Sequence, residues 1–296
     1  MSPRPLTGCG TALATPFTAD GAIDEAALSA FVDWQVREGV HFVVPCGSTG
    51  EAATLSLEEQ KRVIAITVEV VAGRVPVVAG AGANDTARAI ALTKVAKALG
   101  ATHALHVSPM YNKPPQRGIE AHFQAIAGAV DFPIVVYNVP GRTASNIEAR
   151  TTLRLATIPN IVAVKEASGN IGQIAEIIRE RPSDFTVLSG DDSLTLPVMA
   201  FGGEGVISVA SNATPAGMAR LVEACACGDF AAARTLHRQL TPWMTAAFVE
   251  SNPIPLKAAL AMLGKMQDVV RLPLVPLAPA HHGVVRQALV QAGVLS

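Results

Sequence analysis

Eight short apolar runs rich in β-branched residues alternate with longer amphipathic segments, and this alternation restricts the fold more than any other feature of the chain. The runs are 9–14, 41–46, 75–80, 103–108, 133–137, 161–165, 186–190 and 205–209. They begin roughly twenty to thirty-five residues apart, the length of one strand–helix unit. Helical spacing of apolar residues marks 24–38, where Leu28, Phe31, Val32 and Val36 fall on one face. It also marks 57–71, where Ser56 precedes Glu58 and Glu59 as a capped, acidic first turn. Further helical segments are 85–99, 118–130 and 170–180. Continuous apolar strands separated by helices predict a parallel sheet covered on both faces. Eight such units predict an α/β fold of the closed (β/α)8 TIM-barrel type. No Gly-x-Gly-x-x-Gly follows the first run, which argues against a dinucleotide-binding sheet.

Beyond about residue 228 the pattern changes to helices punctuated by prolines, at 229–249, 255–263 and 279–292. The expected organisation is therefore a barrel over 1–228 and a C-terminal helical region over 229–296. Half of the residues are hydrophobic and the net charge is −1, so neither nucleic acid nor an anionic membrane surface is an expected partner. No apolar stretch approaches the ~20 residues of a membrane span, and residues 1–5 lack a signal-peptide core. Cys9, Cys46, Cys225 and Cys227 have no metal-ligand spacing, nor do the seven histidines, so no metal site is expected. The composition fits a reduced cytoplasmic protein.

In barrels of this type the active site lies at the carboxyl ends of the strands. Lys165 ends the run Ile161-Val-Ala-Val-Lys165. Burial there favours the neutral amine, a nucleophile able to form a Schiff base; the alternative is a lysine that snorkels outward or pairs with a carboxylate. Pro45-Cys-Gly-Ser-Thr-Gly-Glu51 reads as a small anion nest, or as an ordinary glycine turn. Tyr111 and Tyr137 are the two tyrosines of the chain; each follows a strand beside an asparagine, where a hydroxyl can pass protons or simply pack. Arg142 is suited to hold a carboxylate in a fork, or to sit on the surface. Asp191 and Asp192 read as helix caps.

Five motifs then stand in order: Gly47-Ser-Thr-Gly-Glu51, Tyr111-Asn-Lys-Pro114, Tyr137-Asn-Val-Pro-Gly-Arg142, Val164-Lys-Glu-Ala167 and Asn252-Pro-Ile-Pro255. Together they resemble the dihydrodipicolinate synthase and N-acetylneuraminate lyase superfamily of class I aldolases, over nearly the whole chain. Arg142 places the resemblance in the dihydrodipicolinate synthase (4-hydroxy-tetrahydrodipicolinate synthase) branch. The resemblance implies a lyase that condenses pyruvate with L-aspartate 4-semialdehyde in the diaminopimelate route to lysine. It implies an imine between Lys165 and pyruvate, with no metal or organic cofactor. Tyr137, Ser48 and Tyr111 would form a proton relay, with Tyr111 reaching the neighbouring subunit of a dimer or a dimer of dimers. Ser48 stands where the family usually has threonine. Ser48 and Thr49 would hold the pyruvate carboxylate, Arg142 that of the semialdehyde, and Ile207 and Gly190 would line the pyruvate pocket.

The alternatives are an aldolase or dehydratase acting on a 2-keto-3-deoxy sugar acid or sialic acid, which Arg142 disfavours, and a silent barrel that only binds a 2-oxo acid. Many family members bind lysine at the dimer interface as a feedback inhibitor. The matching positions here hold Leu57, Gln60, Arg88 and Met110, with Asn84 retained. An arginine facing an ammonium group repels it, so weak or absent inhibition by lysine is expected.

Overall fold

The computed structural model describes residues 6–296; residues 1–5, and with them the reading of the N-terminus, lie outside the described residues. Eight parallel strands form the centre: β1 (Gly8–Ala12), β2 (Phe42–Val44), β3 (Val78–Gly80), β4 (His103–Val107), β5 (Ile134–Asn138), β6 (Ile161–Glu166), β7 (Thr186–Ser189) and β8 (Gly205–Ser208). Their order is β2-β1-β8-β7-β6-β5-β4-β3. A parallel bridge between Val43 and Val77 and a 2.9 Å bond from Gly80 N to the Pro45 carbonyl join the two ends into a nearly closed barrel.

Helices α1 (Glu25–Arg37), α2 (Leu57–Val71), α3 (Thr86–Ala98), α4 (Gln116–Ala129), α5 (Pro140–Thr143), α6 (Ala149–Leu155), α7 (Ile171–Glu180), α8 (Thr195–Ala200) and α9 (Pro215–Ala226) lie between and after the strands. The expected capping box is present at α2, where Ser56 Oγ accepts from Glu59 N at 3.2 Å and the Glu59 carboxylate accepts from Ser56 N at 2.8 Å. The short helices α5, α6 and α8, and the longer α9, were not anticipated from periodicity. Three of them are too brief to show a repeat, and α9 begins with a proline in a run of small residues.

Two apolar layers result. Phe42, Val44, Val78, Leu105, Val135, Leu188 and Ile207 fill the barrel, and a larger cluster lies between the sheet and its helices. The filling is tight: a Cβ on Gly10 would meet the Phe42 ring at 1.9 Å, so only glycine admits that ring. The C-terminal helices are α10 (Phe230–Ala246), α11 (Ile254–Met262) and α12 (Pro279–Gln291). They pack on the barrel, with Trp243 fully buried and its indole N–H donating to the Ala210 carbonyl at 2.9 Å. Among the described residues no helix is long and apolar enough to cross a membrane.

Candidate active site

Tyr137 on β5 and Lys165 on β6 are register partners, so both side chains face the barrel interior near the carboxyl ends of their strands. Lys165 Nζ lies 4.2 Å from the centre of the Tyr137 ring. Both residues are buried, at 5% and 7% exposure. Burial pulls the Lys165 amine from 10.5 down to about 7; the negative charge of Asp192 opposes this fall and the positive charge of Arg142 adds to it. Burial also pushes the Tyr137 phenol up to about 12, against the lowering effect of Arg142. The amine therefore reaches its nucleophilic form near neutral pH, while the phenol keeps its proton.

Gly190 stands against the lysine stem. A Cβ there would lie 3.0 Å from Lys165 Cε and 2.6 Å from Ala167 Cβ, so a larger residue would push the amine aside. Ile207 is fully buried among the interior apolar side chains. The turn after β2 brings Thr49 in, 3% exposed, and leaves Ser48 exposed. The amides of Gly50 and Glu51 close this turn on the carbonyls of Gly47 and Ser48, at 3.0 and 3.2 Å. Those of Ser48 and Thr49 have no acceptor among the described residues. Two open N–H groups and two hydroxyls suit a carboxylate.

Arg142, on α5, is exposed and donates to the Asn252 carbonyl at 2.8 Å; it pairs with no carboxylate among the described residues. Tyr111 is not gathered with the others. It is 88% exposed, with φ of +73°, a left-handed conformation that is strained for a tyrosine.

Glu166, Asn138 and Asn252 complete the surroundings, though the sequence alone assigns them no role. Glu166, fully buried, follows Lys165 and faces away from it. Its carboxylate accepts from Asn138 Nδ2 at 3.0 and 3.2 Å, from Ser168 N at 2.7 Å and from Gln173 Nε2 at 3.1 Å, which anchors the end of β6. Asn138 and Glu166 lie within motifs noted above, but their partners come from other strands and helices. Asn252 donates from Nδ2 to Thr49 Oγ1 at 2.9 Å, across more than two hundred residues of sequence.

Asp192 corrects an expectation. Asp191 does cap, accepting from Ser193 N at 3.0 Å, but Asp192 is buried and accepts from the amides of Val209 and Ala210 at 3.0 and 2.9 Å, beyond β8. Its other oxygen, Oδ1, is buried with no hydrogen-bond partner among the described residues. Gln60 is turned inward. It is buried and spends its amide on the carbonyls of Ala52 and Leu55, at 3.0 and 3.4 Å, whereas Leu57, Asn84 and Arg88 are exposed. Among the described residues no three His, Cys, Asp or Glu side chains gather as metal ligands would.

Comparison with known proteins agrees with this architecture. The family model of the dihydrodipicolinate synthetase family matches residues 5–292. The 4-hydroxy-tetrahydrodipicolinate synthase of Koribacter versatilis is 55% identical over 291 residues, covering 98% of this chain and 97% of its own. That of Chloroherpeton thalassium is 48% identical over 296 residues, covering 100% and 98%. Dihydrodipicolinate synthase from Aquifex aeolicus superposes with a TM-score of 0.95 at 44% identity, covering 98% of this chain and 99% of that one. The chloride-inhibited dihydrodipicolinate synthase from Acinetobacter baumannii, solved with pyruvate, gives 0.97 at 42% identity, covering 98% and 100%. With eight strands in order, the strand-end lysine and full-length identity near one half, the chain belongs to the dihydrodipicolinate synthetase family.

Proposed function

We propose that this chain is a Schiff-base lyase that condenses pyruvate with L-aspartate 4-semialdehyde to 4-hydroxy-tetrahydrodipicolinate, with Lys165 as the nucleophile. The observation that carries the assignment of Lys165 is a buried amine, unpaired among the described residues and lowered to about 7, over the ring of a buried strand-end tyrosine. The amine adds to the ketone carbon of pyruvate. Water leaves, and the resulting iminium draws electrons from the adjacent methyl carbon. Loss of a methyl proton gives the enamine, whose carbon attacks the aldehyde of the second substrate. The semialdehyde's own amino group then attacks the imine carbon, closes the ring and releases Lys165.

Tyr137 shuttles the protons of these steps, and Ser48 links it to Tyr111 of the neighbouring subunit. Ser48 and Thr49 hold the pyruvate carboxylate, Arg142 holds that of the semialdehyde, and Gly190 and Ile207 shape the pyruvate pocket. The covalent carrier is the lysine, so the route calls for no metal or organic cofactor. The reading treats 1–228 as the catalytic barrel and 229–296 as a helical extension. The working unit is a homodimer or a dimer of dimers in the cytoplasm. The exposed and strained Tyr111 supports a site completed from a second copy.

The test is borohydride reduction with pyruvate, read by peptide mass, beside a reductase-coupled assay with the semialdehyde. Pyruvate is expected on Lys165, with turnover that Lys165→Ala abolishes. Trapping without turnover on the semialdehyde would redirect the assignment to a sugar acid. Absence of trapping would refute the Schiff-base reading.

A further inference from the structure

The turn that carries Ser48 and Thr49 ends at Glu51, a non-glycine residue at φ +54° whose carboxylate is buried. Glu51 Oε1 meets Lys257 Nζ at 2.6 Å, and both side chains are excluded from solvent, at 1% and 0% exposure. Glu51 Oε2 accepts from the Arg271 amide at 3.0 Å. Lys257 Nζ also donates to the Val269 carbonyl at 2.6 Å and lies 3.9 Å from the centre of the Phe17 ring. The Arg271 guanidinium lies 4.3 Å from the centre of that ring and bonds Glu59 and the carbonyls of Gly21 and Thr54. Among the described residues every partner of the Glu51 carboxylate therefore comes from beyond residue 250, and Thr49, two residues earlier, is bonded by Asn252 from the same region.

A buried ion pair is a poor way to gain stability, since desolvating both charges costs about as much as their attraction returns. Its direction is another matter. A carboxylate held on one oxygen by an ammonium ion and on the other by a backbone amide fixes the backbone that bears it, and here that backbone is held in a left-handed conformation that a free glutamate seldom adopts. The open amides of Ser48 and Thr49 take their aim from this anchored turn.

We propose that the buried Glu51–Lys257 pair is a positioning device through which the C-terminal extension sets the geometry of the pyruvate-carboxylate turn. The inference rests on the reading of the Ser48–Thr49 turn as that subsite. Neither Glu51 nor Lys257 touches substrate; both act through the turn.

The experiment uses the full-length enzyme with four changes: Glu51→Gln, Lys257→Met, the two combined, and Thr49→Val. Three quantities are read: the pyruvate concentration that half-saturates borohydride trapping, the KM for each substrate, and the melting temperature. Each single charge removal strands the other charge in the interior and lowers the melting temperature. The double variant leaves no stranded charge and keeps the volume, so its melting temperature returns close to that of the parent. Its half-saturating pyruvate concentration nonetheless stays raised, about ten-fold, because a small misplacement of a binding group is costly. The KM for the semialdehyde changes less than two-fold. A double variant that binds pyruvate as the parent does would overturn the positioning role and leave the pair a structural staple. Thr49→Val separates the two failures. If it weakens pyruvate binding while the double variant does not, only the positioning role falls; if it has no effect, the subsite reading falls and the positioning role with it.

Discussion

Lys165 illustrates how one residue's chemistry is set by neighbours that sequence adjacency does not supply. Its amine is lowered chiefly by burial, and two charges tune the result from opposite directions, Asp192 upward and Arg142 downward. Asp192 arrives from beyond β7, and its carboxylate is held by the amides of Val209 and Ala210. Asp192→Asn keeps an acceptor for those amides but removes the charge. Without that charge the ammonium loses its proton more readily, so the acid limb of kcat/KM for pyruvate should move to lower pH. A pH–rate profile paired with a pH series of borohydride trapping checks this; an unmoved limb, or one moved upward, would remove Asp192 from the account. The juxtaposition of the strand-end lysine with Tyr137 was legible in the sequence because such residue types are rare at strand ends, whereas Tyr111 and Arg142 stand exposed. From sequence alone Asp192 reads as a cap, because a carboxylate at the start of a helical turn commonly is one.

At the scale of elements, β4 and the helices α3 and α4 bury three imidazoles, those of His103, His106 and His122. Thr93 donates its single hydroxyl proton to the Ala89 carbonyl at 2.7 Å, so its 3.0 Å contact with His106 requires a proton on His106 Nε2. His106 Nδ1 is then an acceptor, buried without a partner among the described residues. Burial lowers His106 from 6.5 to about 3 and His103 to about 4. Below 6.5 the unfolded chain binds protons that the folded chain refuses. Stability from these groups is therefore complete above that pH and is lost progressively as pH falls toward the folded values. His106→Gln should flatten the decline of melting temperature between pH 6.5 and about 4, as read by thermal scans in a pH series. A slope equal to the parent's would show that other groups carry the acid sensitivity. Helix α1 was legible from spacing because Leu28, Phe31 and Val32 recur on its buried face, and α2 from the cap at Ser56 and its acidic first turn. The short α5 and α8 were not, because one or two turns leave no period to read.

At the scale of the whole molecule, the exposed Tyr111 and the C-terminal extension decide how the site is completed. If Tyr111 enters the site of a second copy, two inactive proteins should rescue each other. Mixing Tyr111→Phe with Lys165→Ala after dissociation and reassociation should restore about a quarter of the parent activity, since half of the random dimers carry one intact site. Activity no greater than that of the separate variants would confine Tyr111 to its own chain. Arg88 is exposed and Gln60 is turned inward, so a lysine at the interface site that the resemblance implies would meet a cation and one fewer amide. Turnover should be insensitive to micromolar lysine, and strong inhibition in the coupled assay would contradict this. The eight-fold alternation and the strand-end placement of Lys165, Tyr137 and Gly190 were determined by the sequence alone, because period and residue type are local properties of a chain. The tertiary structure alone decided that the charge of Asp192, carried beyond β7, acts on a lysine of the neighbouring strand β6, that Asn252 bonds Thr49, and that Lys257 and Arg271 hold Glu51. Such contacts join residues that are close only after the barrel closes, and no spacing along the chain encodes that distance.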